Sequence, residues 1–262
     1  MRPIYTIGDI HGQKDMLDHA LSLIVADGGD DAQIVFLGDY VDRGPDSRGV
    51  IDTLMAGQAA GKPWTCLLGN HDRFFARFIR EGRQHDPRVK SGLNWLNPRL
   101  GGAQTLASYG VHGEMHFAEQ KFGDVEEFLH CDIDTGRITP AALIVAAQAA
   151  VPETHIAFLE GLPLWHETAH LLFVHAGLRP HISLPHQDPE DLIWIRDGFL
   201  ETNHDFGHLV VHGHTALDHP QHFGNRVDLD GGAGYGRPLV PAVFEGRDCW
   251  TITDNGRMSL RP

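Results

Sequence analysis

Apolar residues recur along this chain in two rhythms, and their alternation predicts the architecture. Apolar, β-rich runs of strand length stand at PIYTI (3–7), VFL (35–37), CLL (66–68), LFV (172–174) and LVV (209–211). Between them lie segments with a helical period. In QKDMLDHALSLIVADGG, residues Met16, Leu17, Ala20, Leu21 and Ile24 make one face. DSRGVIDTLMAGQAAG does the same through Val50, Ile51, Leu54 and Met55, with Asp46 or Ser47 as N-cap and Gly61 as the C′ residue. HDRFFARFIREG gathers Phe74, Phe75, Phe78 and Ile79 on one side, reads as core, and stops at Gly82. Thr139-Pro140 and Asp188-Pro189 each join an N-cap to a proline in the first turn, predicting helices near 140–150 and 189–194. Strands alternating with helices predict an α/β fold.

From about 82 to 139 the pattern loosens into polar stretches with a Gly-Gly pair at 101–102, which predicts a cap-like insertion with some helix. No internal repeat, low-complexity tract or linker divides the 262 residues, so a single domain is expected.

The turn after each strand changes the picture. The runs release into GDIHG, GDYVDRG, GNHD, HAG and HGHT, each a glycine-containing turn with Asp, Asn or His. Strand ends are rigid mounts, and α/β proteins bind ligands at the carboxyl rim of a sheet. The side chains offered there are Asp9, His11, Asp39, Asn70, His175 and His214, oxygen and nitrogen donors without a thiolate, suited to Mn²⁺, Fe or Zn²⁺. They are too many for one ion. Two adjacent ions need a shared carboxylate and fit phosphoester hydrolysis. His212 and His214 lie two apart, so spacing alone does not choose between them.

Charge narrows the partners. With 21 Lys+Arg against 35 Asp+Glu the formal charge is −14, which argues against nucleic-acid backbone and anionic membrane. Cys66, Cys131 and Cys249 are widely spaced and lack a CxxC pair, so neither a disulfide framework nor a thiolate zinc site is expected. The first strand begins at Pro3, with no export signal visible and no membrane-length apolar run. The expected setting is the cytoplasm.

GDIHG, GDYVDRG, GNHD, HAG and GHT, in that order and followed by VDLDGGAGYGRP, resemble the motifs of the calcineurin-like metallophosphoesterases, over about residues 3 to 245. The long GDYVDRGPDSRG match is similar above all to the phosphoprotein phosphatase branch, in particular its bacterial serine/threonine phosphatases. That resemblance implies a four-layer α/β/β/α sandwich of two mixed sheets, with a dinuclear metal site at the strand ends. It puts the first metal on Asp9, His11 and Asp39, and the second on Asp39 as bridge with Asn70, His175 and His214, favouring His214 over His212. Hydroxide held between two divalent ions, Mn by preference and Fe or Zn otherwise, would attack phosphorus. His71, held by Asp42, would protonate the leaving alkoxide, and Arg43 with Arg196 would grip the phosphate; Tyr235 is a further pocket candidate. The substrate implied is a phosphorylated protein or small phosphoester. A symmetrical dinucleoside tetraphosphate hydrolase, built from similar motifs, and an inactive phosphate-binding module are the alternatives.

Each residue also has a plainer reading. Asp9 and Asp39 could cap the following helices, Asp42 and Arg43 could be a loop ion pair, and Asn70 and His71 could serve a turn and a helix start. Their joint occurrence at five strand ends outweighs these. Asp72 stands where eukaryotic relatives commonly carry Glu, with little effect expected on chemistry. WLNPRLGGAQTLASYG resembles a stretch of the bacterial members and is expected to wall the substrate entrance. Trp165 and Trp194 are expected to pack, the latter near Arg196 at the pocket edge. His112, His116, His204, His208, His219 and His222 have no motif context and are expected at the surface.

Overall fold

The computed structural model describes residues 2–112, 114–119, 125–130 and 139–262, the two middle segments by their backbone. The first sheet is built from β1 (Ile4–Ile7), β2 (Gln33–Phe36), β3 (Trp64–Cys66), β11 (Ala242–Glu245), β12 (Asp248–Thr253) and β13 (Gly256–Leu260), in the order β13-β12-β11-β1-β2-β3. Its β1, β2 and β3 run parallel and the other pairs antiparallel. The second sheet, ordered β6-β7-β8-β10-β9, comprises β6 (Trp165–Glu167), β7 (Leu171–Val174), β8 (Leu209–His212), β9 (Gln221–His222) and β10 (Arg226–Asp228). It too is mixed, with β7, β8 and β10 parallel. A hairpin of β4 (Glu114–Glu119) and β5 (Val125–His130) stands apart in its pairing.

Because side chains alternate across a strand, each sheet sends one set of residues to the other. Ile4, Val35, Leu37 and Leu67 meet Phe173, Leu209, Val211 and Val227 in a buried layer between the sheets. The opposite face of the first sheet, with Tyr5, Ile7, Ile34 and Phe36, packs on helices. These are α1 (Lys14–Gly28), α2 (Ser47–Ala59), α3 (Asn70–Glu81), α4 (Gly102–Ser108), α5 (Pro140–Ala150) and α6 (Glu153–Glu160). The second sheet's outer face, with Leu172, Val174 and Val210, is covered by α7 (Pro189–Trp194) and the loop bearing Phe199. The expected α/β/β/α sandwich is present, and its last layer is thin because the β7–β8 connection carries only this six-residue α-helix.

The local signals behave as chemistry dictates. Asp46 caps α2 through the Gly49 amide at 2.7 Å, Thr139 caps α5, and Asp188 caps α7. Gly82 ends α3 with φ 66°, a left-handed conformation that costs glycine little. Phe75 and Phe78 pack on Trp95, at 5.7 and 4.6 Å between ring centroids. Trp165, expected to pack, is instead 38% exposed, since β6 is an edge strand paired only with β7. Within the stretch read as an insertion lie α4 and the hairpin, while residues 113, 120–124 and 131–138, including Cys131, fall outside the described residues, as does the side chain of His116. Cys66 and Cys249 are buried free thiols, and no single described helix is long and apolar enough to cross a membrane.

Candidate metal centre

The turns after β1, β2, β3, β7 and β8 converge. Asp9, His11, Asp39, Asn70, His175 and His214 are all buried, none more than 6% exposed. Two overlapping groups, His11–Asp39–His71 and Asp39–His175–His214, bring candidate ligand atoms within 4.8 Å of one another. Asp39 is common to both. Its Oδ2 lies 3.7 Å from His11 Nε2 and its Oδ1 3.4 Å from His175 Nε2, so its two oxygens face different partners. Asn70 Oδ1 sits between His175 Nε2 at 3.0 Å and His214 Nδ1 at 2.8 Å. Asp9 Oδ2 is 4.0 Å from His11 Nε2, and its carboxylate accepts from the His214 amide at 3.1 Å.

The donor set fits divalent ions. His11 Nδ1–H donates to Val41 O at 2.8 Å and His175 Nδ1–H to Leu37 O at 2.9 Å, which fixes their tautomers and leaves each Nε2 lone pair facing inward. Burial, then Arg43, pushes the His11 imidazole below its ordinary range; burial does so for His175, and burial with Arg196 for His214. Neutral imidazoles are what a cation requires. Burial works to raise the Asp39 carboxyl, but wherever a surrounding His175, His71, His11 or His214 ring carries a proton its charge overrides burial and holds Asp39 below the usual carboxylate range.

The backbone carries a cost here. Among the described residues, the non-glycine residues with positive φ are His11, Asp39, Asp42, Arg43, His181 and His214, and all but His181 belong to the predicted site. Such conformations are sparsely populated and persist only where the surroundings over-determine them. Gly69 shows the crowding: a Cβ there would lie 2.2 Å from Asp39 Oδ1.

Beside these donors stand His71, Asp42 and Arg43. His71 Nδ1 donates to Asp42 Oδ2 at 2.6 Å, and Arg43 donates to His11 Nε2 at 2.6 Å and to His71 Nε2 at 3.2 Å. Arg196 Nη2 donates to His214 O at 3.0 Å and lines the same pocket of about 230 Å³. The exposed ring of Tyr235 lies 4.8 Å from the Arg43 guanidinium carbon. His212 stays out of the donor set: its Nε2 accepts from Arg226 Nη1 at 3.1 Å, and burial with Arg226 pushes its imidazole down to about 3. Among the motif-free histidines, His112 and His219 are exposed, His204, His208 and His222 half-buried, and none lines this pocket.

Three residues carry weight that the sequence reading did not give them. Asp42 Oδ2 also accepts from Trp95 Nε1 at 2.9 Å, and Asp42 Oδ1 accepts from Thr105 Oγ1 at 2.7 Å. The stretch expected only to wall the entrance thus holds the partner of His71, and a Cβ on its Gly101 would come within 2.2 Å of Arg43 N. Asp72 accepts from the amides of Asp39, Tyr40 and Gly69 at 2.8, 2.8 and 3.0 Å, pinning the loop that bears Asp39 to the start of α3. The cue for Trp95 and Thr105 was present, since the WLNPRLGGAQTL stretch places polar hydrogen-bonding groups in an otherwise loose region. Thr105→Val should leave a fully buried carboxylate short of a donor and cost about 1.5–3 kcal/mol in urea unfolding. A change below about 0.5 kcal/mol would show that this bond is not needed.

Comparison with known proteins gives the same direction. The family model described as calcineurin-like phosphoesterase matches residues 2–235. A symmetrical bis(5'-nucleosyl)-tetraphosphatase from Delftia acidovorans is 42% identical over 104 residues, and that match spans only 36% of each chain. Among solved structures, one assigned as a diadenosine tetraphosphatase superposes with a TM-score of 0.60 at 20% identity, covering 95% of this chain and 92% of its own. A cold-active protein-tyrosine phosphatase of a Shewanella species superposes with a TM-score of 0.58 at 13% identity, covering 100% of this chain and 81% of its own.

Proposed function

This chain belongs to the calcineurin-like phosphoesterase family, and on that premise we propose that it hydrolyses phosphate monoesters of protein serine and threonine with two divalent metal ions. Asp9, His11 and Asp39 would hold one ion, and Asp39, Asn70, His175 and His214 the other, with Mn²⁺ the preferred pair. When bound, such ions lower the pKa of water and neutralise the phosphoryl oxygens. Arg43 and Arg196 orient the phosphate by charge-assisted hydrogen bonds. Water adds to phosphorus and gives up a proton, and the P–O ester bond breaks; His71, protonated at Nε2 once Arg43 turns from that nitrogen to the phosphate, would deliver the Nε2 proton to the departing oxygen while its Nδ1–H stays on Asp42.

The observation that carries the substrate reading is the His71–Asp42 pair at 2.6 Å, itself tied to Trp95 and Thr105. A serine or threonine alkoxide is a poor leaving group and gains about 10²–10⁴ in rate from a positioned acid. A nucleoside diphosphate leaves readily without one. The second reading, a symmetrical dinucleoside tetraphosphate hydrolase, is favoured by the name of the Delftia relative and by Tyr235 and Trp194, which offer stacking surfaces.

One panel decides: phosphoserine, phosphothreonine and phosphotyrosine peptides, diadenosine tetraphosphate and p-nitrophenyl phosphate, each assayed with Mn²⁺ and with chelator. Phosphoserine and phosphothreonine peptides should lead in kcat/KM. A dinucleotide preferred over every peptide would establish the second reading, and no metal-dependent turnover of anything would make the protein a binding module. Metal should also bind without substrate: Mn²⁺ at 100 times its Kd is expected to stabilise the chelator-treated protein by about 2.7 kcal/mol per site. A melting curve unmoved by Mn²⁺ would contradict the ligand assignment.

A further inference from the structure

The metal pocket opens into a larger cleft of about 710 Å³, and the two share Arg43, Asn70, His71, Arg196 and Tyr235 in their walls. Beyond the shared residues the cleft presents Arg88, Lys90, Arg99 and Arg179, against the acids Asp191 and Asp197. In a chain of formal charge −14 this gathering of cations runs against the whole. It also adjoins the metal pocket, with which it shares five lining residues.

The local acids meet this charge unevenly: Arg88 has Asp188 as well as Asp191, Arg179 has Asp191, Lys90 has only the exposed Asp197, and Arg99 has none among the described residues. Asp191 is 1% exposed at the foot of α7, takes Arg179 through both oxygens, and stands 3.4 Å from Arg88 Nη1, so one buried carboxylate organises two arginines on the wall. Lys90 meets Asp197 at 2.7 Å, but with side chains 85% and 83% exposed the pair is solvated and exchangeable. Arg99 is exposed and has no acidic partner among the described residues.

Their placement discriminates between ligands. Of the lysines and arginines among the described residues, Arg43 and Arg196 are the two that line both the metal pocket and the cleft, enough for one phosphoryl group. A second phosphoryl bonded directly to the first would need its cations inside the metal pocket. A carboxylate one or two residues away along an extended peptide lies about 3.5–7 Å further on, outside the metal pocket and on the side of the cleft whose wall carries the further cations. We propose that this cleft is a specificity site for acidic residues flanking the phosphorylated side chain of a protein substrate, with Arg99 and Lys90 as its readily exchanged cations; this rests on the phosphoprotein reading above.

The test uses two phosphoserine peptides identical except for Glu or Gln on both sides of the phosphoresidue. The Glu peptide is expected to show about tenfold higher kcat/KM at low salt, through KM, with the gap closing at about 0.5 M salt. In Arg99→Gln/Lys90→Gln the preference should fall to about twofold while p-nitrophenyl phosphate turnover is unchanged. Equal kcat/KM for the two peptides, or a preference undiminished in the double variant, overturns the cleft assignment and leaves the phosphoprotein reading standing. Hydrolysis of diadenosine tetraphosphate with neither peptide cleaved overturns the phosphoprotein reading, and the cleft assignment with it.

Discussion

Asp39→Asn is expected to lower the occupancy of both metal positions together and to cut turnover by about 10³-fold or more, because one carboxylate is the only group common to the two ligand clusters. Asparagine suits the test. It tolerates the positive φ of 54° at this position, and its amide oxygen can still accept from the His71 amide, which Asp39 Oδ1 now does at 2.9 Å. The fold should therefore survive the change. Metal analysis on the purified variant, with circular dichroism as the control, reads the outcome. Two ions retained per chain would show that the bridge lies elsewhere.

His71→Ala should leave metal content nearly intact and divide substrates by their leaving groups. Alkyl phosphates should slow by about 10²–10⁴, since an alkoxide must be protonated as it departs, whereas p-nitrophenyl phosphate should slow by less than about tenfold. The contrast is the informative quantity. Loss of metal affinity or misfolding would depress both substrates alike, so equal losses would remove His71 from the acid role. His71 lies within the ligand distances of the first cluster, which makes metal analysis a necessary companion measurement.

The convergence of the candidate donors was legible because its constraints are local. A strand that ends in Gly-Asp or Gly-Asn-His announces both a rim and a ligand, and five such ends point to one another without any knowledge of tertiary contacts. Helix caps at Asp46, Thr139 and Asp188 were legible for the same reason. The features that escaped are long-range. Trp95 and Thr105 reach Asp42 across 53 and 63 residues, and nothing near Asp42 in sequence says that its oxygens are already taken. Asp72 reads locally as a conservative departure, yet it ties amides 32 and 33 residues upstream. The exposure of Trp165 depends on which strand lies at the sheet edge, a property of strand order. The cationic cleft likewise draws on residues from 43 to 235, and composition, being acidic overall, points the other way.

The run of left-handed residues at His11, Asp39, Asp42, Arg43 and His214 has an evolutionary corollary. Selection for heat tolerance alone would favour glycine at such positions, each replacement relieving about 1 kcal/mol or more of torsional discomfort. On the function proposed above, those same replacements would dismantle the catalyst. Lineages that drift away from hydrolysis should therefore gain robustness as they lose activity, and the first positions to relax would be the ones that now bear the work.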